Sequence, residues 1–268
     1  MAAAAAVERF SYGELQVSAL TMPLALDTFF DLVAKHRGGY VACTCTHGVI
    51  EVARDQKLKQ IIDDAVLALP DGMPLVWLGR MKGVAVDRVT APDFLETVMH
   101  DPRARNIRHY FYGATPEAIG RIVERAKELV GADAVVGWHS PPFRPAGAME
   151  DPDVIAAIAA TKPDVIWVGL GLPKQEYWMA NHQALLPSSL MLGVGAAFDF
   201  FAGTQPRAPK AMQRMGLEWL HRLVNNPGRL WRRYAEVVPK ALGIMVVELV
   251  SRRRREPDKT PAGEVAPK

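Results

Sequence analysis

Val165-Ile166-Trp167-Val168-Gly169-Leu170-Gly171-Leu172-Pro173-Lys174-Gln175-Glu176 passes from an unbroken apolar run, through two glycines and a proline, into a polar helix start. Four β-branched or aromatic residues in a row, closed by glycine, describe a strand buried on both faces, which is the situation of a parallel sheet. Pro173 suits a helix start, and Lys174 to Ala184 continues as an amphipathic stretch. The same alternation repeats outward from this unit. Strands are expected at Val41 to Thr44, Val66 to Leu69, Arg108 to Tyr112, Ala134 to Val136 and Leu190 to Val194. Helices are expected at Ile50 to Asp64, Met73 to Arg80, Asp93 to Met99, Pro116 to Leu129 and Asp151 to Ala160. The predicted fold is α/β: a Rossmann-like, mostly parallel sheet with helices on both faces, plus a basic amphipathic helical C-terminal appendage. The boundaries read 1–202 for the α/β core, 203–256 for the appendage and 257–268 for a proline-rich, mixed-charge tail expected to be disordered.

The chain has 268 residues and a net charge of +3, but the charge is unevenly spread. From Arg207 to Arg255 twelve basic residues stand against Glu218, Glu236 and Glu248, a balance of +9 that leaves −6 for the rest. A mildly acidic body with a basic end predicts that the end meets phosphate, whether of a nucleotide, a nucleic acid or an anionic membrane. Cys43 and Cys45, two positions apart in an apolar run, make neither a disulfide scaffold nor a zinc site and read as buried thiols of a reducing cytoplasm. The alanine-rich start lacks the basic region and long apolar core of a signal peptide. Val237 to Val250 is the longest apolar stretch; Pro239, Lys240 and Glu248 interrupt it, and it falls short of the roughly 20 residues that a spanning helix needs.

In a sheet of this kind ligands lie outside the carboxyl ends of the strands. Those ends carry Thr44-Cys45-Thr46-His47, Pro70-Asp71-Gly72, Tyr112-Gly113-Ala114-Thr115, Gly169-Leu170-Gly171 and Gly193-Val194-Gly195. Together they supply backbone N–H groups and helix starts suited to a nucleotide. Asp71 leaves its strand through a sharp Pro-Asp-Gly exit, the placement a general base needs; the competing reading is a turn or cap for the helix at Met73. Asp199, between Phe198 and Phe200, is either paired with a cation such as Arg207 or functional. Asp151-Pro152-Asp153 imitates a metal-binding Asp-x-Asp but sits where a helix start prefers acid. His47 and His139 have no partners at metal-ligand spacing. Gly169-Leu170-Gly171 lacks the third glycine of a dinucleotide fingerprint, since position 174 is Lys, which disfavours a nicotinamide enzyme. The polar turn Lys174-Gln175-Glu176 is expected to face a ligand. Arg222, Arg229 and Arg232 have the spacing of one helix face, although Pro227-Gly228 is expected to break that helix. Two readings stay open at this level, an enzyme with a nucleotide-type site and a non-catalytic module whose basic end binds membrane or nucleic acid.

Ordered motifs then add a resemblance. Leu69-Pro70-Asp71-Gly72-Met73-Pro74, Arg88-Val89-Thr90-Ala91-Pro92-Asp93, Phe111-Tyr112-Gly113, Val168 to Glu176, Gly193 to Phe200, Arg207-Ala208-Pro209, Gly216 to Leu223 and Pro227 to Tyr234 are similar, in this order, to the WecG/TagA/CpsF glycosyltransferases. The resemblance covers roughly residues 14 to 236. It implies inverting transfer of a sugar from a UDP-sugar to a polyprenyl-diphosphate-linked saccharide in cell-surface polysaccharide synthesis, without metal or other cofactor. The site would be peripheral on the inner face of the cell membrane, drawn to its anionic surface, with no nucleic-acid partner and with a homo-oligomer allowed. The resemblance carries the base over to Asp71, donor binding to Gln175 and diphosphate binding to Arg222, Arg229 and Arg232. Thr44, Thr46, Arg88, Asp93, Gly113, Gly171, Lys174, Glu176, Gly195 and Asp199 are the further substrate-binding positions expected. Two departures lie near the sugar pocket: many members have Asn where this chain has Thr46, and Gly where it has Ala91. The donor is therefore read as N-acetylmannosamine, its uronic acid or a glucose-type hexose.

Overall fold

The computed structural model describes residues 7–255, with the side chains of Arg229, Leu249 and residues 251–255 outside that description. The tail expected at 257–268 lies outside the described residues. The chain opens with an antiparallel hairpin, β1 (Arg9–Tyr12) and β2 (Leu15–Ser18), followed by helix α1 (Met22–Ala34). Then come β3 (Gly39–Cys45), α2 (Thr46–Arg54), α3 (Gln56–Asp64), β4 (Leu67–Asp71), α4 (Met73–Met81) and α5 (Ala91–His100). The second half runs β5 (His109–Gly113), α6 (Pro116–Val130), β6 (Val135–His139), α7 (Pro152–Ala160), β7 (Val165–Gly169), α8 (Lys174–His182) and β8 (Leu190–Gly193). It closes with α9 (Ala197–Phe201), α10 (Lys210–Arg214), α11 (Glu218–Asn225) and α12 (Pro227–Arg255).

Six strands form one parallel sheet in the order β4-β3-β8-β7-β5-β6, as the alternating pattern predicts. The decisive strand shows why its sequence is apolar throughout. Val165 and Trp167 enter the core cluster on one face, with α1, α5, α6 and α9, while Ile166 and Val168 enter the cluster on the other, with the hairpin, α2, α3 and α8. Trp167 is fully buried, and its indole N–H donates to His109 Nδ1 (3.2 Å), whose Nε2–H reaches the Ala104 carbonyl (2.9 Å). Burial pulls the His109 imidazole down to about 4, so it stays neutral and serves this chain of hydrogen bonds.

Three features depart from the sequence expectations. The stretch Ile50 to Asp64 is two helices, broken at Asp55, whose Oδ1 caps α3 by accepting from the N–H groups of Lys57 and Leu58 (3.1 and 3.0 Å). The hairpin and α1, which pack on opposite faces of the sheet, are elements that the pattern did not reveal. The C-terminal segment also packs on the core along its length: Tyr12 Oη donates to the Ala241 carbonyl (3.2 Å), Lys82 pairs with Glu248 (3.2 Å), and Ile244 and Met245 pack against the second cluster. Pro227 does end the preceding helix: α11 stops at Asn225 and α12 starts at Pro227, continuing past Pro239.

Candidate active site

The site lies along the carboxyl edge of the sheet. Asp71 ends β4, opposite Cys45 on β3. Gly72, with no side chain to offer, is the N-cap of α4, and Asp71 instead reaches sideways: its Oδ2 accepts the Ala91 N–H at the start of α5 (3.2 Å). The capping role is thus exerted on α5 and not on the helix at Met73. Burial pushes the Asp71 carboxyl up to about 6, raised further by Glu218 and Asp93 and opposed by the Ala91 hydrogen bond and Arg88. Such a carboxylate is ionised at neutral pH yet far more basic than a solvated one, as a general base requires.

Beside it stands a charged network that spans the chain. Arg207 holds Asp93 in two parallel bonds (Nη1–Oδ1 2.6 Å, Nη2–Oδ2 2.9 Å) and approaches Glu218 (3.3 Å). Arg88 lies between the same two acids, 3.4 Å from Glu218 and 3.9 Å from Asp93. Thr90 Oγ1 donates to Asp93 Oδ2 (2.7 Å) and accepts the Asp93 N–H (3.2 Å), capping α5. Burial would raise the Asp93 carboxyl, but the hydrogen bonds from Arg207 and Thr90 outweigh it and hold the group below its ordinary value. Arg207 is therefore partnered by Asp93 and Glu218. Asp199 accepts from Gln205 Nε2 (3.4 Å), and its carbonyl receives the N–H groups of Thr204 and Gln205.

The middle of the edge is built from glycines. Gly113 has φ +117°, and a Cβ there would stand 2.7 Å from the Gly169 carbonyl carbon, so β5 and β7 leave the sheet backbone to backbone. The loop after β7 is anchored from below: the Gly171 N–H donates to Gln175 Oε1 (3.1 Å), and Gln175 Nε2 donates to Glu176 Oε1 (2.9 Å). Gln175 is almost wholly buried and Glu176 wholly so, with Glu176 Oε2 left without a partner. Burial raises the Glu176 carboxyl to about 7. The turn expected to face a ligand therefore does so only through Lys174; the helix start buries its next two side chains, that of Gln175 under Gly193 and Gly195. Thr44 is buried too, its hydroxyl donated to the Leu69 carbonyl (2.7 Å), whereas Thr46 opens α2 with its Oγ1 beside Gly72.

Beyond β7 the edge widens into a cavity of about 360 Å³, between the ends of β5 and β7 and the proline-rich segment 140–149. Lys174 lines it, with Nζ 3.3 Å from the Phe143 ring centroid, as do Tyr112 and Trp178, stacked at 4.2 Å. Glu150 closes it from below, bonded by Tyr112 Oη and by Arg144 (2.9 Å). This cavity was missed by sequence reasoning, since only the run Pro141-Pro142 hinted at a fixed loop. Asp151, the first acid of the apparent Asp-x-Asp, caps α7 by accepting the Asp153 N–H (2.9 Å).

From the other side the C-terminal helices close in. Arg222 on α11 sits 5.9 Å from the Phe200 ring, next to Asp199. Arg232 on α12 is exposed and lies 5.5 Å from the Trp231 ring, so Arg222 and Arg232 belong to two helices and not to one face. The Arg229 side chain lies outside the described residues. Tyr234, not singled out from sequence, packs on Trp219 (5.4 Å); burial raises its phenol, while Arg222 and Arg233 pull it down.

The family model described as "Glycosyl transferase WecG/TagA/CpsF family" matches residues 10–255. The chain belongs to the WecG/TagA/CpsF family. Among curated relatives of this glycosyltransferase, the N-acetylglucosaminyldiphosphoundecaprenol N-acetyl-β-D-mannosaminyltransferase of Bacillus spizizenii strain W23 is 27% identical over 219 residues, 81% of this chain and 82% of its own. The protein of the same name from Bacillus subtilis strain 168 is 28% identical over 230 residues, 83% and 87% of the two chains. Membership of the WecG/TagA/CpsF family makes the chain an enzyme and sets aside the non-catalytic reading of its basic end. No helix of this glycosyltransferase is long and apolar enough, among the described residues, to cross a membrane.

Proposed function

We propose that this glycosyltransferase moves a sugar of the N-acetylmannosamine type, or a related hexose, from its UDP ester to a saccharide carried on polyprenyl diphosphate, with inversion and without a divalent metal. The observation that carries the reading is Asp71, a partly buried carboxylate with a raised pKa at the carboxyl edge of the sheet that also carries the glycine turns. The names of both relatives supply the acceptor type, a diphosphoundecaprenol-linked N-acetylglucosamine.

In this mechanism the acceptor hydroxyl loses its proton to Asp71 as its oxygen attacks the anomeric carbon. The bond from that carbon to the diphosphate oxygen breaks on the opposite face, and its electron pair leaves with UDP. Asp71 then releases the proton to water. The diphosphate lies over the glycine turns at Gly113, Gly169 to Gly171 and Gly193 to Gly195, with Lys174 beside it and Gln175 and Glu176 holding the floor. The nucleoside extends into the aromatic cavity of about 360 Å³, a size and lining suited to a flat base. Arg222, Arg229 and Arg232 supply positive charge to the departing diphosphate. Thr46 and Ala91 border the sugar.

Membrane association of the segment 203–256 is part of the proposal. Met215, Leu220, Val224, Trp231, Leu242, Val246, Val247 and Val250 are all exposed, and the run Arg252 to Arg255 follows. An apolar surface edged by cations suits the inner leaflet, where each basic residue near anionic lipid contributes about 1 kcal/mol. The test is a panel of UDP-sugars (N-acetylmannosamine, its uronic acid, N-acetylglucosamine and glucose) offered with a polyprenyl-diphosphate N-acetylglucosamine. One donor should yield a heavier glycolipid and UDP in equal amounts. No glycolipid from any donor overturns the reading.

A further inference from the structure

Two diphosphates take part in the proposed transfer, and the glycine turns and Arg222 account for the donor's only. From the geometry we infer that the groove between α4, α5 and α10 holds the diphosphate of the lipid-linked acceptor, with Lys210 and Arg214 as its principal contacts; the inference rests on the transferase reading above. The groove has a volume of about 760 Å³ and carries Arg88, Arg207, Lys210 and Arg214 on its walls. Arg88 and Arg207 are already shared between Asp93 and Glu218. Lys210 and Arg214 are exposed and make no ion pair among the described residues, so their charge is available to an anion.

Position supports the assignment. In an inverting displacement the attacking hydroxyl and the leaving diphosphate lie on opposite sides of the anomeric carbon. β4 is the edge strand, whereas the glycine turns follow β7 and β8, farther into the sheet; the groove is lined by α4, the helix that follows β4, and by α5 and α10. Asp93, which lines the groove, is two residues from Ala91, whose N–H binds Asp71. A saccharide whose hydroxyl meets Asp71 would thus place its own diphosphate in this groove. The outlet is apolar. Met73 and Val76 line it, and the turn at Gly216 packs against Met73 and Trp77; Trp77 is exposed, as is Met215, the residue before that glycine. A polyprenyl chain leaving the groove would meet these side chains next.

The test uses the full chain and the double variant Lys210→Ala/Arg214→Ala. Losing two charge-assisted contacts should raise the KM for polyprenyl-diphosphate N-acetylglucosamine about tenfold or more, with the KM for the UDP-sugar changing less than about twofold. An unchanged acceptor KM, or an equal rise in both, overturns the assignment. A binding arm decides independently of turnover. Vesicles doped with polyprenyl diphosphate should retain the wild type better than phosphatidylglycerol vesicles of equal charge, and the double variant should lose that preference. Equal retention of wild type by both vesicles, or a preference that survives in the variant, also overturns it. Failure of wild-type transfer with every donor, alongside intact diphosphate preference, would overturn the transferase reading and leave the groove assignment standing.

Discussion

Asp93 and Arg207, 114 residues apart, form a two-bond ion pair that ties the first turn of α5 to the entry of the C-terminal segment. The pair is half-buried, and Thr90 and Glu218 complete its hydrogen bonding. Because Arg88 joins the same acids, the pair also sets the charge around Asp71.

Replacing Arg207 with Lys keeps the charge but removes the planar fork. The variant should lose about 1–2 kcal/mol of stability, read from the denaturant midpoint. An unaltered midpoint would show that the pair is only a surface contact.

Asp71→Asn should lower turnover by about a hundredfold or more while UDP still binds. For the wild type, kcat should rise with pH through about 6 and level off above it, because the base works only when deprotonated. Wild-type turnover in the Asn variant, measured as UDP release with acceptor present, would remove Asp71 from the base role.

Glu176 offers a pH test of stability with a definite sign. Its folded pKa, about 7, exceeds its ordinary value of 4.5, so the folded state binds the proton more tightly. The group favours folding most below about pH 4.5, and this contribution declines as pH rises toward 7. Glu176→Gln, which resembles the protonated acid, should match wild type near pH 5 and exceed it near pH 8 by up to about 3 kcal/mol. Equal stability at both pH values would mean that Glu176 is not held protonated.

Gly193→Ala and Gly169→Ala should fail in different ways. A Cβ at Gly193 would stand 2.7 Å from Gln175 Nε2 and 2.9 Å from Met179 Cε, so the amide should be pushed off its bonds with Gly171 and Glu176 and the UDP-sugar KM should rise. A Cβ at Gly169 would collide with the buried Phe198 ring, which has no room to yield, and should cost about 1–3 kcal/mol. Thermal unfolding together with donor KM separates the two.

Truncation after Gly203 should give an inactive core with a lowered Tm. It removes Arg222, Arg229 and Arg232, and it also strips Asp93 of Arg207 and uncovers the surface under Val237, Ala241 and Ile244. Transfer to a lipid-linked acceptor by the truncated chain would show that the C-terminal segment does not complete the site.

The inner parallel strands were legible because each is buried on both faces, which forces runs such as Val165 to Val168 to be apolar at every position; the edge strand β6 is only partly buried, with Trp138 exposed. Asp71, Gly113 and Gly171 were legible as edge positions for a related reason: strand ends in such a sheet sit at one edge, and polar or glycine residues there stand out against the apolar runs. The hairpin Arg9 to Ser18 was not legible, since strands of four residues gain their stability only from packing against the rest of the fold. Nor was the break at Asp55, where a single side-chain cap outweighs a helical pattern continuous on both sides. The net +3 resolved by sequence into an acidic body and a basic end, but sequence could not say which of those cations were available. Tertiary structure decided that Arg88 and Arg207 are shared by Asp93 and Glu218, that Glu176 is buried beneath the loop it was expected to line, and that α12 lies along the core. Local pattern determines which segments are strands and where their ends fall, whereas ion pairing and burial depend on residues far apart in sequence that only the closed fold brings together.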